Sequence, residues 1–207
     1  MDASSVLLVI DVQNDFLPGG ASAVPRGDEV IPVINALAPK FANVLLTQDW
    51  HTRGHVSFAS SHAGTKPFDV IDLPYGKQVL WPDHCVQGTR GAAFADALDI
   101  TQAQAVIRKG FHRHTDSYSA FVEADGNTPT GLAGLLRERG ITHVYCCGLA
   151  TDFCVAWSAL DAKAAGFETF VIEDACRAID TGGSLAQARQ QLADAGVVLV
   201  QSSALHA

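Results

Sequence analysis

Four side chains able to do chemistry stand just past short apolar runs. Asp11 follows the run 6–10, Asp49 the run 44–48 and Lys109 the run 105–107, while Cys154 comes soon after the run 143–147. A thiol attacks as its thiolate, and a helix N-terminus favours that form through unpaired N–H groups and a partial positive charge. Cys154, in Gly148-Leu-Ala-Thr-Asp-Phe-Cys154, lies in the first turn of an expected helix. The same N–H groups could hold an oxyanion. Asp11 could accept the thiol proton and return it to a leaving amine, and Lys109 could hold a thiolate by charge. Each residue also has an ordinary reading: a small buried cysteine, a turn-capping carboxylate, an exposed lysine after a strand. Position alone leaves both readings open.

Asp49-Trp-His51 is more specific, because residues i and i+2 at a strand end can face one centre where the chain turns. His84, in Trp81-Pro-Asp-His-Cys-Val-Gln-Gly-Thr89, could complete a set of two histidines and one carboxylate. Such a set leaves positions open for water and suits zinc, iron or manganese. His55 and Asp83 are candidates for an extra ligand or an outer partner. The chain has 8 histidines, so some must be ordinary; His62, His112 and His114 are expected in surface or loop roles. Phe16, Trp50, Trp81, Tyr118 and Phe121 lie near these motifs. Phe16 and Trp81 adjoin the polar candidates and could wall a planar ring. Trp50 and Phe121 read as loop packing.

The apolar runs themselves say how these groups could be brought together. Runs 6–10, 44–48, 105–107, 143–147, 169–172 and 197–200 read as strands, with helical spacing over 30–41, after Thr130 and over 153–165, and near Leu185 to Leu192. Thr151 or Asp152 would cap the third of these helices. The alternation predicts an α/β, Rossmann-like three-layer fold: a six-stranded, mainly parallel sheet with helices on both faces. In that architecture, groups just past the strands share one edge, where ligands bind. The segment of about 50–104 is too long for an ordinary connection and is expected to be a functional insertion in one domain spanning 1–207.

The length of 207 residues, with 48% apolar and 17% charged residues, suits a self-sufficient globular core. A net charge of −8 with no dense basic run argues against nucleic acid or an anionic membrane as a partner. No apolar run reaches the roughly 18 residues of a membrane span. Five cysteines, an odd number, and a start without basic residues point to a reducing, cytoplasmic setting. The sequence does not fix the oligomeric state; a homodimer is kept as an expectation.

The motifs taken together resemble the nicotinamidase/pyrazinamidase branch of the isochorismatase-like cysteine hydrolases. The likeness runs through Leu7-Leu-Val-Ile-Asp-Val-Gln-Asn-Asp-Phe16, Gln48-Asp-Trp-His51, His55-Val-Ser-Phe58, Trp81 to Thr89, Arg108-Lys-Gly110, Asp116-Ser-Tyr-Ser-Ala-Phe121 and Gly148 to Val155. It departs slightly at Asp83 and at Ala120, where glycine is common in the family. The resemblance implies a triad of Asp11, Lys109 and Cys154, and a divalent transition metal on Asp49, His51 and His84, zinc first with iron or manganese as alternatives. It implies an oxyanion site at the backbone N–H groups of Ala150 and Cys154, beside a cis peptide between Leu149 and Ala150. His55 or Ser57 would fit the place of a further metal ligand. Phe16, Trp81, Tyr118, Leu149 and Ala150 would line the substrate pocket. The implied reaction turns nicotinamide and water into nicotinate and ammonia, with pyrazinamide as a second substrate. A related amidase acting on a carbamoyl or ureido compound is the alternative. A non-catalytic nucleotide-binding module is disfavoured, since the turn after the first strand has no glycine-rich phosphate cradle.

Overall fold

The computed structural model describes residues 1–99 and 101–205. All six apolar runs are strands of one sheet: β1 Ser5–Ile10, β2 Asn43–Asp49, β5 Ala105–Lys109, β6 His143–Leu149, β7 Glu168–Arg177 and β8 Val198–Val200. They lie in the order β5-β2-β1-β6-β7-β8. Every neighbouring pair is parallel, so the sheet is wholly rather than mainly parallel. A strand covered on both faces needs no polar side, and all six residues of β1 are buried.

The helices are α1 Val30–Leu37, α2 Leu132–Glu138, α3 Ala156–Ala164 and α4 Ser184–Asp194. Right-handed crossovers from β1 to β2 and from β6 to β7 run in opposite directions along the sheet, which puts α1 and α3 on opposite faces. Helix α1 buries Val30, Ile31, Ile34 and Leu37. It stops short of the expected 41 because Pro39 has no N–H to continue the ladder, and a 3-10 turn, Ala38–Lys40, follows. The cap residue of α2 is Gly131 rather than the expected Thr130, which lies one residue earlier and whose hydroxyl accepts the Leu132 N–H at 3.2 Å.

The long insertion is not all loop. It holds an antiparallel hairpin, β3 Val70–Leu73 and β4 Gly76–Val79, which the sequence reading did not include. Isolated bridges Gln13 to Phe94 and His51 to Val86 tie the insertion to the chain just past β1 and β2, and a third, Phe58 to Trp81, lies within it. Among the described residues, no helix is long and apolar enough to cross a membrane.

Candidate active site

From β1 the chain steps outward one way through β2 to β5, and the other way through β6 to β8. The strand order therefore reverses between β1 and β6, and a crevice opens beyond their carboxyl ends. Asp11 follows β1, while Asp49 and Lys109 are the final residues of β2 and β5 and are paired in register. Cys154 lies in the turn after β6.

These groups meet at the Lys109 ammonium. Its Nζ is 2.8 Å from Asp11 Oδ2 and 2.8 Å from Asp49 Oδ1. It also donates to the Ser117 carbonyl at 2.9 Å and lies 3.5 Å from Cys154 Sγ. Lys109 and Asp11 are both 0% exposed, so an unpaired charge here would be costly. Asp11 Oδ1 accepts the Thr47 hydroxyl at 2.6 Å. Asp11 Oδ2 has the Lys109 ammonium as its ion-pair partner, and its second lone pair remains for an incoming proton. Burial raises the Asp11 carboxyl above the usual range although Lys109 pulls it down. Burial would lower the Lys109 ammonium, but Asp11 and Asp49 hold it well above its ordinary value. Burial likewise pushes the Cys154 thiol far up, against the pull of Lys109. The resting sulfur is thus a thiol beside a base and a fixed cation.

The Leu149–Ala150 peptide is cis, where the resemblance placed it. Residues Thr151–Val155 form a π-helical turn that runs into α3. Neither Thr151 nor Asp152 caps this segment with its side chain, contrary to the sequence expectation; Ala150 is the cap residue. The Asp152 carboxylate instead accepts the N–H groups of Ile179 and Asp180 at 3.0 and 2.8 Å and the Ser184 hydroxyl. It thereby fastens the cysteine turn to the start of α4. Gly148 is obligatory beneath this turn: its φ is +115°, and a Cβ there would lie 2.1 Å from the Ile10 carbonyl oxygen.

Asp49 Oδ2 faces His51 Nε2 at 3.0 Å and His84 Nε2 at 3.5 Å. The Nδ1 of His51 points at the Gly110 carbonyl at 2.8 Å, and that of His84 at the Pro82 carbonyl at 2.8 Å. A carbonyl oxygen only accepts, so each Nδ1 carries a hydrogen and Nε2 is the nitrogen each ring offers toward the Asp49 carboxylate. The three ligand atoms lie within 4.8 Å of one another. The donor set therefore fits a divalent metal. Burial opposes charge on His51, but Asp49 outweighs it and raises the imidazole pKa. Burial would raise the Asp49 carboxyl, but His51 and Lys109 hold it well below the usual range. Gln13 locks the Asp49 backbone: its Nε2 donates to the Asp49 carbonyl and its Oε1 accepts the Asp49 N–H, both at 2.8 Å. Asp15 accepts the Cys85 N–H at 2.7 Å and so anchors the loop that carries His84.

A small, partly enclosed cavity joins the sulfur to the imidazoles. Phe16, Trp81, Tyr118 and Ala150 line it, with Asp49, His51, His84 and Cys154 at its polar places. Leu149 does not: its side chain is fully buried and turned toward Gly27, whose Cβ position would be 3.3 Å from Leu149 Cδ1. His55 and Ser57 bind each other at 2.7 Å, and His55 Nε2 donates to the carbonyls of His112 and Thr115. They stand outside the Asp49, His51, His84 set, although His55 forms a second cluster with His51 and Asp116. Burial lowers the His55 pKa to about 4, so its ring is neutral near pH 7. Asp83 is exposed and bonded to Ser60, so it does not support the metal ligands as expected. Trp50 stacks under the Arg108 guanidinium and Phe121 packs on Phe167, both away from the cavity. Sequence reasoning gave no role to Phe153, which meets Trp81 edge-on at 4.9 Å, or to Asp116; both line the cavity and both sit inside quoted motifs.

The isochorismatase domain family matches residues 5–204. A curated nicotinamidase from Acinetobacter baylyi is 59% identical over 196 residues, covering 95% of this chain and 92% of that protein. A solved nicotinamidase/pyrazinamidase from Acinetobacter baumanii superposes with a TM-score of 0.99 at 59% identity, covering 100% of both chains. The PnC1 protein of L. infantum, solved in complex with nicotinate, gives 0.87 at 41% identity, covering 100% of this chain and 97% of that one. The pyrazinamidase of Pyrococcus horikoshii, solved in complex with zinc, gives 0.79 at 36% identity, covering 96% and 99%. With its fold, its sequence and these neighbours in agreement, the chain belongs to the isochorismatase family, within the nicotinamidase branch.

Proposed function

We propose that this chain hydrolyses nicotinamide to nicotinate and ammonia, and pyrazinamide by the same steps, with Cys154 as the nucleophile. The observation that carries the reading is the position of Lys109 Nζ, which touches Asp11 and Asp49 and lies 3.5 Å from the sulfur. Identity to the curated A. baylyi nicotinamidase and the nicotinate held by the L. infantum relative support the substrate class.

Phe16, Trp81, Tyr118 and Phe153 bind the flat ring. Asp49, His51 and His84 would hold the metal, with zinc first because the P. horikoshii relative carries it and with iron or manganese compatible with the same donors. When bound, the metal supplies a Lewis-acidic anchor for the ring nitrogen, directly or through water. Orientation of this kind matters because attack needs the carboxamide carbon about 3–3.5 Å from the sulfur. Asp11 removes the Cys154 proton as sulfur attacks that carbon, and the carbonyl oxygen takes the negative charge under the N–H groups of Ala150 and Cys154. Asp11 returns the proton to the nitrogen, the C–N bond breaks and ammonia leaves a thioester. A water gives its proton to Asp11 and its hydroxide to the thioester carbon. The C–S bond breaks, the proton returns to sulfur and the acid departs, giving its own proton to water to become nicotinate. Lys109 keeps its charge throughout.

The test is a substrate panel on the purified protein: nicotinamide, pyrazinamide and an N-carbamoyl amino acid, with ammonia release as the readout. Turnover of both ring amides with no turnover of the carbamoyl compound is the expected result. The reverse pattern would transfer the site to the carbamoyl or ureido amidases.

A further inference from the structure

Gln78 lies on β4, in the hairpin of the insertion, and is only 2% exposed. Its Nε2 donates to Asp116 Oδ2 at 2.8 Å and to the Val79 carbonyl at 2.7 Å, with Tyr118 Oη at 3.4 Å. Its Oε1 accepts the Tyr75 hydroxyl at 2.9 Å. Asp116 Oδ1 accepts the Ser117 N–H at 2.9 Å, so both carboxylate oxygens are held from behind. Asp116 lines the cavity, and its carboxylate lies within 4.8 Å of the ring nitrogens of His51 and His55. Tyr118 Oη accepts the Trp81 Nε1–H at 2.9 Å, which sets the angle between two wall rings. One buried amide thus reaches the carboxylate at the polar end of the cavity and the hydrogen-bonded aromatic pair at its side.

The chemistry of that amide is hard to replace. Asp116 offers only acceptors and needs donors behind it. A carboxylate at position 78 would set acceptor against acceptor, and an ammonium would cancel the Asp116 charge. An amide supplies two donors without charge and still accepts from Tyr75.

We propose that Gln78 is a positioning residue for substrate: it holds Asp116 and the Tyr118–Trp81 pair in place around the ring, so the β3–β4 hairpin is part of the binding site. This rests on the nicotinamide reading of the site. Gln78 touches no reacting atom, so its loss weakens ring binding and leaves the chemical steps alone.

The test compares wild type with Gln78→Met, which keeps length and loses the donors, and with Gln78→Glu. Steady-state turnover of nicotinamide, calorimetric binding of nicotinate and a thermal melt are measured on the same preparations. The expected result for Gln78→Met is a rise of about tenfold in KM and in the nicotinate Kd, equivalent to about 1.4 kcal/mol, with kcat within about twofold of wild type. Gln78→Glu should lose at least as much. On an Asp116→Ala background, Gln78→Met should add less than about twofold, because its main partner is gone. A folded Gln78→Met protein with KM and Kd within twofold of wild type overturns the proposal, as does a loss confined to kcat. A merely structural residue would lower the melting temperature and the active fraction without moving KM. If Gln78→Met does not fold, Tyr75→Phe removes the hydroxyl that orients the amide and must raise KM two- to threefold; no rise overturns the proposal. A wild-type protein that neither releases ammonia nor binds nicotinate overturns the functional reading and this proposal with it. Normal wild-type turnover with an indifferent Gln78→Met overturns the proposal alone.

Discussion

Asp49 and Lys109, the last residues of adjacent strands, meet side by side: Oδ1 of one lies 2.8 Å from Nζ of the other. The second oxygen of Asp49 faces His51 at 3.0 Å. One carboxylate therefore belongs both to the cation that steadies the sulfur and to the set that fits a metal. The parallel register of β2 and β5 makes that sharing unavoidable, since it places the two side chains at the same height on the sheet edge.

Lys109→Met should be severe for two separable reasons. It leaves Asp11 and Asp49 as buried carboxylates without their shared cation, a loss of about 3–5 kcal/mol in stability. It also removes the charge beside the sulfur, so kcat should fall at least a hundredfold in the protein that remains folded. A denaturant melt and an ammonia assay on the same sample check both parts.

Gly110→Ala should act on metal retention. Gly110 has φ +65°, and an added Cβ would lie 2.6 Å from His51 Cε1 and 2.8 Å from its Nδ1. The imidazole would have to leave the Gly110 carbonyl that orients it. Loss of such outer support typically costs 10–100-fold in metal affinity. Metal content after dialysis against a mild chelator should fall, while Cys154 remains alkylatable.

Asp152→Ala frees three donors at Ile179, Asp180 and Ser184. The expected cost is about 1–3 kcal/mol in stability. Because the same contacts brace the cysteine turn, kcat should fall about tenfold with metal content unchanged. Metal analysis and kinetics together separate this from a general loss of fold.

The acid limb of kcat/KM should lie above the value of an ordinary aspartate, about pH 3.9. Burial raises the Asp11 carboxyl, and the ionised form is the one that accepts the thiol proton. Activity is therefore held above that raised value and lost as pH falls through it. A pH–rate profile that stays flat down to pH 3.9 would deny Asp11 the role of base.

The parts of this molecule that could be read from the sequence are those with local causes. Strand β1 shows as Val6 to Ile10 because burial on both faces leaves an unbroken apolar run, and Asp11, Asp49 and Lys109 are conspicuous as polar residues that end such runs. The hairpin was not legible: its strands are four residues each and partly exposed, too short for a period to register. Asp152 was misread because an Asp ahead of a helical pattern is the usual cap signal, yet its partners lie 27 to 32 residues further on. Gln78 and Asp116 meet across 38 residues of chain, a contact that no local spacing announces. Leu149 was carried to the pocket wall by its place in the cysteine motif, whereas β6 turns its side chain into the core.

The most direct measurement is ammonia release from nicotinamide by wild type and by Cys154→Ala, with metal content determined on the same samples. The account predicts rapid release by wild type, none above background by the variant, and equal metal in both. Near-wild-type release by Cys154→Ala would contradict the assignment of the sulfur as nucleophile, and with it the reading of the whole cluster around Lys109.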